Sequence, residues 1–416
     1  MNQGQPGDSL VKKDMGLGAV GGPLLGIRVA DFSVHAAGPF AGEMLAEMGA
    51  DVIKVESAAR LDITRRPHAM YGKPPSSFEQ VNANKRSVTL NLKEPRAVEL
   101  ALELVGISDI CLENFRPGVM ERLGLGYPQL KEVKPDIILL SLSSNGQSGP
   151  ESRYAGYAPM FAALGGLGHL TGYSDAPPVE LRHAMDHTGG MMAAFGAVAA
   201  LCAKSAYDLG QHVDVAVRDV ATSFIGPALL DYAMNQREHF RKGNQDEVMS
   251  PHGVYRCQGE DQWVSIAVGS QAEWQGLLRA LGQPAWVTED QFGDAYLRWR
   301  NRDVLDQRLE EWTTRFTPQE VTELLQREGV AAFPSLAADQ LLSDHHLQAR
   351  QAFPWVEHPE KGRQRAVAPP WKFSETPAQV DRWTPDLGEH NLEVFHQLLG
   401  LTAEEVEELS RAQVIW

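Results

Sequence analysis

Asp186 stands alone as a carboxylate between residues 177–185 and the run 187–201. The second run is rich in Ala, Gly and Met and apolar nearly all round, which predicts a buried helix opening at Asp186. Unpaired N–H groups and the positive dipole end of such a helix favour the ionised carboxyl. Gly189 and Gly190 leave room for a second group to approach the backbone closely. An ionised, partly desolvated carboxylate in that setting is a candidate nucleophile. The same residue also suits a plain helix N-cap, and on local sequence alone the cap is the commoner reading. His183 and His187 flank Asp186 at a spacing that could hold a metal, but no third ligand accompanies them. No metal site is therefore assigned, and His187 is expected to hydrogen-bond near Asp186.

The elements that must position Asp186 are legible in outline. Residues 27–32, 51–55, 108–112 and 136–141 read as short apolar strands, alternating with helices at 38–48 and 97–105. That alternation predicts an α/β fold with a doubly wound parallel sheet, whose ligands bind beyond the carboxyl ends of the strands. The polar or glycine-rich stretches at those ends are residues 33–38, 56–66, 113–118 and 143–150. A further strand at 211–217 leads into a long helix reaching about Phe240. The resulting layout is a tail at 1–22, the first part of a large domain at 23–225, a linker helix at 226–241, a smaller α+β domain at 242–330, and a proline-rich segment at 331–416 that returns to the large domain. That last segment should end in an amphipathic helix near 403–412. Residues 16–21 match G-x-G-x-x-G, but they precede the first strand rather than follow one, so the dinucleotide fingerprint fails.

The 416 residues carry a formal net charge of -16, which argues against nucleic acid or an anionic membrane as a partner. An anionic ligand must meet a local basic patch. Cys111, Cys202 and Cys257 are odd in number and far apart, as in a reducing cytoplasm without a disulfide framework. No apolar run is read as approaching the ~18 residues of a membrane span, and no signal-peptide core is evident at the N-terminus.

Four segments, taken in order, carry a resemblance. They are residues 31–39 with 48–56, residues 82–92, residues 113–124, and the Asp186 segment. Together they resemble the class III coenzyme A-transferases, the family of formyl-CoA:oxalate and crotonobetainyl-CoA transferases that also includes the α-methylacyl-CoA racemases. The resemblance spans about 25 to 400. It implies an acyl-CoA:carboxylate CoA-transferase in which Asp186 attacks the thioester and forms a mixed anhydride. The released CoA thiolate then gives an aspartyl-CoA thioester, and the acceptor acid runs the sequence in reverse. CoA thioester is substrate, with no permanently bound cofactor. Lys85, Arg86, Arg116 and Arg122 can supply cations for the CoA phosphates. Asn114, Phe115 and Arg122 fall on CoA-contacting positions of the family, and the 117–118 helix start offers backbone donors. Oxyanion support is expected from Ala37, Gly38, Gly189 and Gly190. The resemblance also implies an interlocked ring dimer of identical or related chains.

Departures narrow the subfamily. Ala36 occupies the position of a glutamine in formyl-CoA transferases, and the glycine-rich lid expected after Gly243-Asn244 is missing. Racemases carry a His-Asp pair where this chain has Tyr157 and Ala158, neither an efficient base. The alternative readings are an acyl-CoA racemase or epimerase and a non-catalytic subunit of a heteromeric transferase. Arg60, Arg65, Arg66 and Arg182 are weighed as holders of a second substrate carboxylate, but arginines are commonplace on surfaces.

Overall fold

Strands as short and apolar as those of the first half bury themselves only by pairing edge to edge and taking helices on both faces. The computed structural model describes residues 21–66, 77–179, 181, 183–360 and 362–416. Its first elements are β1 Arg28–Asp31, α1 Ala37–Glu47, β2 Asp51–Glu56, β3 Arg86–Thr89, α2 Pro95–Gly106, β4 Ile110–Glu113, α3 Val119–Arg122 and α4 Tyr127–Val133. There follow β5 Ile138–Ser143, α5 Ala158–Leu164, α6 Leu167–Leu170, α7 Ala184–Tyr207, β6 His212–Ala216 and α8 Val217–Ser223. The six strands form one sheet in the order β3-β2-β1-β4-β5-β6, every pair parallel. The expected parallel α/β sheet is present. Its strand order reverses between β1 and β4, the kind of switch point at which ligands of such sheets bind.

Alternation along the strands sends neighbours to opposite faces. Val29 and Ile110 pack with Leu45 of α1 and with Ala193 and Ala197 of α7. Ala30, Ile53 and Cys111 pack with Leu100 and Leu104 of α2 and with Phe395 and Val406 near the C-terminus. Residues 349–416 share a compact unit with the sheet. There the Asn391 amide oxygen accepts from Thr89 N at 2.8 Å, and His390 N donates to Ser87 O at 2.9 Å.

α7 departs from expectation in two ways. It is buried along one stripe, through Met185, Gly189, Gly190, Ala193, Ala194, Ala197 and Ala200, while Phe195 is 68% exposed. By length and composition it also passes as a membrane span, contrary to the reading that no run approaches one. The stripe of small residues explains its actual place, because it lets α7 seat directly on α1. A Cβ built at Gly190 would lie 2.7 Å from Ala37 O, a backbone atom. Gly190→Ala should therefore force the helices apart and lower unfolding free energy by about 1–3 kcal/mol, read by urea denaturation.

The long helix expected to reach Phe240 is instead two, α8 and Gly226–Asn235. The second ends where Gln236 turns to φ 54°, a left-handed stop. A second compact unit comprises residues 168–179 and 228–348. Strands His252–Arg256, Trp263–Ala267 and Ala331–Pro334 form its antiparallel sheet, so its third strand lies past the expected boundary at 330. Helices Gln271–Ala280 and Pro318–Arg327 cover that sheet, each opened by a capping box. After Gly243-Asn244 the chain is tied down rather than lid-like. Gly243 N donates to Gly172 O at 2.8 Å, and the Asn244 amide donates to the Tyr173 hydroxyl at 2.9 Å. Residues 1–20 and Arg182 lie outside the described residues.

Candidate active site

β1 ends in Asp31, whose carboxylate is fully buried and must be neutralised. Lys85 does so at 2.9 Å, and its ammonium also donates to Asn82 Oδ1 at 2.9 Å and Pro39 O at 2.7 Å. Burial alone would raise the Asp31 carboxyl; Lys85, Lys54 and the Ser33 hydroxyl overcome this and hold it below its ordinary value. Ser33 donates to Asp31 through both its N–H and its hydroxyl, and its carbonyl accepts from Lys54 Nζ at 2.7 Å. The next residue, Val34, is clamped by Asn114 from the end of β4, N–H to amide oxygen and amide N–H to carbonyl, both at 2.8 Å. Asp62 then accepts from His35 N at 2.9 Å while capping Thr64 N, also at 2.9 Å. Four anchors thus fix the turn 33–36 beyond the carboxyl end of β1 and aim the start of α1.

At that start two helix N–H groups precede the hydrogen-bond ladder. Ala37 and Gly38 are the first two residues of α1 and lack intrahelical acceptors, and Ala36 provides no side-chain cap. Gly38 is required there, since a Cβ would fall 2.5 Å from Ser33 Cβ and 2.9 Å from Asn114 Cγ. Gly190 contacts the carbonyl of Ala37, and the rings of Phe40 and His187 meet edge-on at 4.5 Å. The first turn of α7 therefore stands beside the first turn of α1.

Asp186 is the third residue of α7, half-buried, behind a left-handed His183 at the N-cap. Burial raises its carboxyl above the ordinary aspartate value, and the imidazoles of His183, His187 and His35 pull the other way. The net direction is upward, so desolvation outweighs the three imidazoles. A desolvated carboxylate in a helix first turn is a stronger base and hence a better nucleophile than a solvated one. His187 Nδ1 lies 2.8 Å from His183 O, so its hydrogen bond goes to backbone beside Asp186.

The other expected residues divide. Lys85 is wholly buried in its ion pair and cannot reach a phosphate, because its three donors are already taken inside the core. Arg86 is likewise committed, to Asp51 and, at 2.9 Å, to Glu393. Asn114 serves the Val34 turn, and Phe115 packs on the core behind the sheet. Gly189 and Gly190 lie inside the α7 hydrogen-bond ladder and against Val217 and Ala37, so their N–H groups are not open to an oxyanion. The 117–118 helix start is a poor donor source, since α3 spans four residues and Val119 N donates to Arg116 O at 3.1 Å. Ala37 and Gly38 open α1, ahead of its hydrogen-bond ladder. Arg116 and Arg122 are exposed, and Arg116 borders a small cleft with Glu121, Gln147 and His212. Buried Glu113 at the base of that cleft is pushed up to about 7 by desolvation, and it accepts from Phe115 N at 2.7 Å. Arg65 is held by Glu56 at 2.7 Å and stacked 3.6 Å from the Phe78 centroid, whereas Arg60 and Arg66 are exposed. Asp31, Lys54, Asp62 and His35 carry the site's architecture and were not singled out from sequence. All four lie within the segments 31–39, 48–56 and 56–66, but nothing in a linear pattern tells a buried cation from a ligand-facing one.

The sequence matches the model of CoA-transferase family III over residues 24–391. It is 33% identical over 397 residues to a succinyl-CoA–D-citramalate CoA-transferase of Chloroflexus aurantiacus, covering 94% of this chain and 98% of that protein. A succinyl-CoA–L-malate CoA-transferase alpha subunit from Chloroflexus aurantiacus is 32% identical over 399 residues, covering 94% of this chain and 92% of that protein. Among solved structures, a CAIB/BAIF family protein from Brucella suis superposes with a TM-score of 0.83 at 28% identity, covering 91% of this chain and 100% of that one.

Proposed function

Because the chain belongs to CoA-transferase family III and is an enzyme of CoA transfer, we propose that it exchanges CoA between carboxylic acids through covalent attachment to Asp186. The observation that carries this reading is a half-buried carboxylate of raised basicity in the first turn of α7, a helix whose Gly190 packs against the Ala37 carbonyl at the start of α1. Asp186 Oδ attacks the thioester carbonyl carbon, and the carbonyl π pair moves onto oxygen. Collapse of that oxyanion expels CoA thiolate and leaves an acyl–aspartyl anhydride. The thiolate attacks the aspartyl carbonyl, releasing the donor acid and giving the aspartyl-CoA thioester. An acceptor carboxylate reverses both steps, and no net proton is gained or lost. N–H dipoles fixed at the α1 start stabilise each oxyanion without reorganising.

The named relatives act on succinyl-CoA with citramalate or malate, which supports dicarboxylic acids as the substrates to try first. Exposed Arg116 and Arg122 are the cations we assign to the CoA phosphates. Arg122→Ala should weaken CoA binding about tenfold or more, as the loss of a charge-assisted hydrogen bond does. Calorimetric titration with CoA measures this, and an unchanged Kd would remove Arg122 from the site. An interlocked dimer is also our reading. It is supported by the apolar residues exposed on and near α7, namely Met191, Met192, Phe195 and Phe224. A relative named as an alpha subunit makes a related second chain the alternative to an identical one. A cytoplasmic location completes the reading.

The test is peptide mass spectrometry after incubation with a panel of acyl-CoAs, succinyl-CoA first, and a hydroxylamine quench. A hydroxamate on the Asp186 peptide is expected. If no donor labels it and solvent deuterium enters the α-carbon without an acceptor acid, the chemistry is racemisation instead.

A further inference from the structure

His35 is a non-glycine residue held at φ 66°, a left-handed conformation that a Cβ disfavours. Nothing local requires it: the following residue begins the approach to α1, and a glycine would adopt the same turn freely. The strain persists because the surroundings dictate it. Val34 is locked by Asn114 on one side, and His35 N is locked by buried Asp62 at 2.9 Å. Strained residues fixed in this way cluster where a side chain must be aimed. The imidazole is exposed, and its ring lies edge-on to Tyr157 at 6.4 Å, with Tyr157 itself 67% exposed. Two residues further on, the Ala37 carbonyl touches Gly190, one turn beyond Asp186. One more turn of α1 brings Phe40 against His187. The imidazole therefore sits just ahead of the start of α1, the helix end that packs on the first turns of α7. Neighbouring Ala36 offers no side-chain donor.

We propose that His35 is a catalytic residue of the transfer, its ring N–H donating to the acyl carbonyl oxygen as Asp186 attacks. This rests on the covalent reading above. In the attack, the new C–O bond to Asp186 forms as the carbonyl electron pair moves to oxygen, where it meets the His35 N–H together with the N–H groups of Ala37 and Gly38. The pair returns as the C–S bond breaks and the thiolate leaves. The ring carries an N–H in either protonation state, so no proton need move.

Two variants separate this role from a structural one. His35→Gly keeps the backbone and relieves strain; His35→Asn tolerates the left-handed turn and restores an N–H donor. Single-turnover labelling of Asp186 by succinyl-CoA, or by whichever acyl-CoA labels the wild type, is followed by quenched mass spectrometry. His35→Gly should slow labelling about 100-fold, as loss of one oxyanion donor does. Its CoA Kd should stay unchanged and its thermal midpoint should be equal to or above that of the wild type. His35→Asn should recover about tenfold of the loss. Wild-type labelling rates in His35→Gly would overturn the proposal while leaving the covalent reading intact. Absence of label in the wild type with every donor would overturn both.

Discussion

Asp186→Asn should reduce CoA transfer by about 10⁴-fold or more, the scale seen when a nucleophile is removed and binding groups remain. The amide matches the carboxylate in shape but cannot open the thioester, so no hydroxamate should form on its peptide. The fold should survive. Asp186 is only half-buried, and burial already disfavours its charge. A neutral replacement should therefore change unfolding free energy by less than about 1 kcal/mol in urea titration. The same raised basicity sets a pH signature: acylation should fail on acidification at a higher pH than for an ordinary aspartate, because only the ionised form attacks. Full activity in Asp186→Asn would end the covalent mechanism. Lost activity together with a lowered unfolding midpoint would mean that the carboxylate serves the fold.

Lys85→Met should be strongly destabilising, at about 3–5 kcal/mol. The ammonium is fully buried against Asp31, and its removal strands a carboxylate that no water reaches. A double change, Asp31→Asn with Lys85→Met, should recover part of that loss, because the pair is then replaced by groups without charge. Urea denaturation of the wild type, both single variants and the double variant decides the matter. Were Lys85 a phosphate ligand, the single variant would fold normally and lose only CoA affinity. The structural consequence of its loss is specific, since the same ammonium holds Pro39 O in the first turn of α1.

Lys85 shows how far a linear pattern reaches. Lysine and arginine side by side at the start of a strand suit a phosphate site. Only the three-dimensional pairing shows that β3 lies at the sheet edge with Lys85 turned inward to Asp31 and Arg86 toward Asp51. The oxyanion glycines make a similar point. Both sat near the candidate nucleophile in sequence, but the helix begins at Ala184, ahead of Asp186, so their N–H groups fall inside the ladder. Ala37 and Gly38 escape this because they are the first residues of their own helix.

The amino-acid sequence by itself determined the alternation of short apolar strands with helices, hence the parallel sheet, and it marked Asp186 as a carboxylate heading an apolar helix. These are local properties: period, cap chemistry and the spacing of small residues act within a few turns of one element. Which cations stay free for a ligand and which neutralise the core was decided by tertiary structure. So was the packing of the start of α1 against α7, through Ala37 on Gly190 and Phe40 on His187. The physical reason is that burial and charge pairing are set by partners distant along the chain. Asp31 meets Lys85 across 54 residues, and Val34 meets Asn114 across 80.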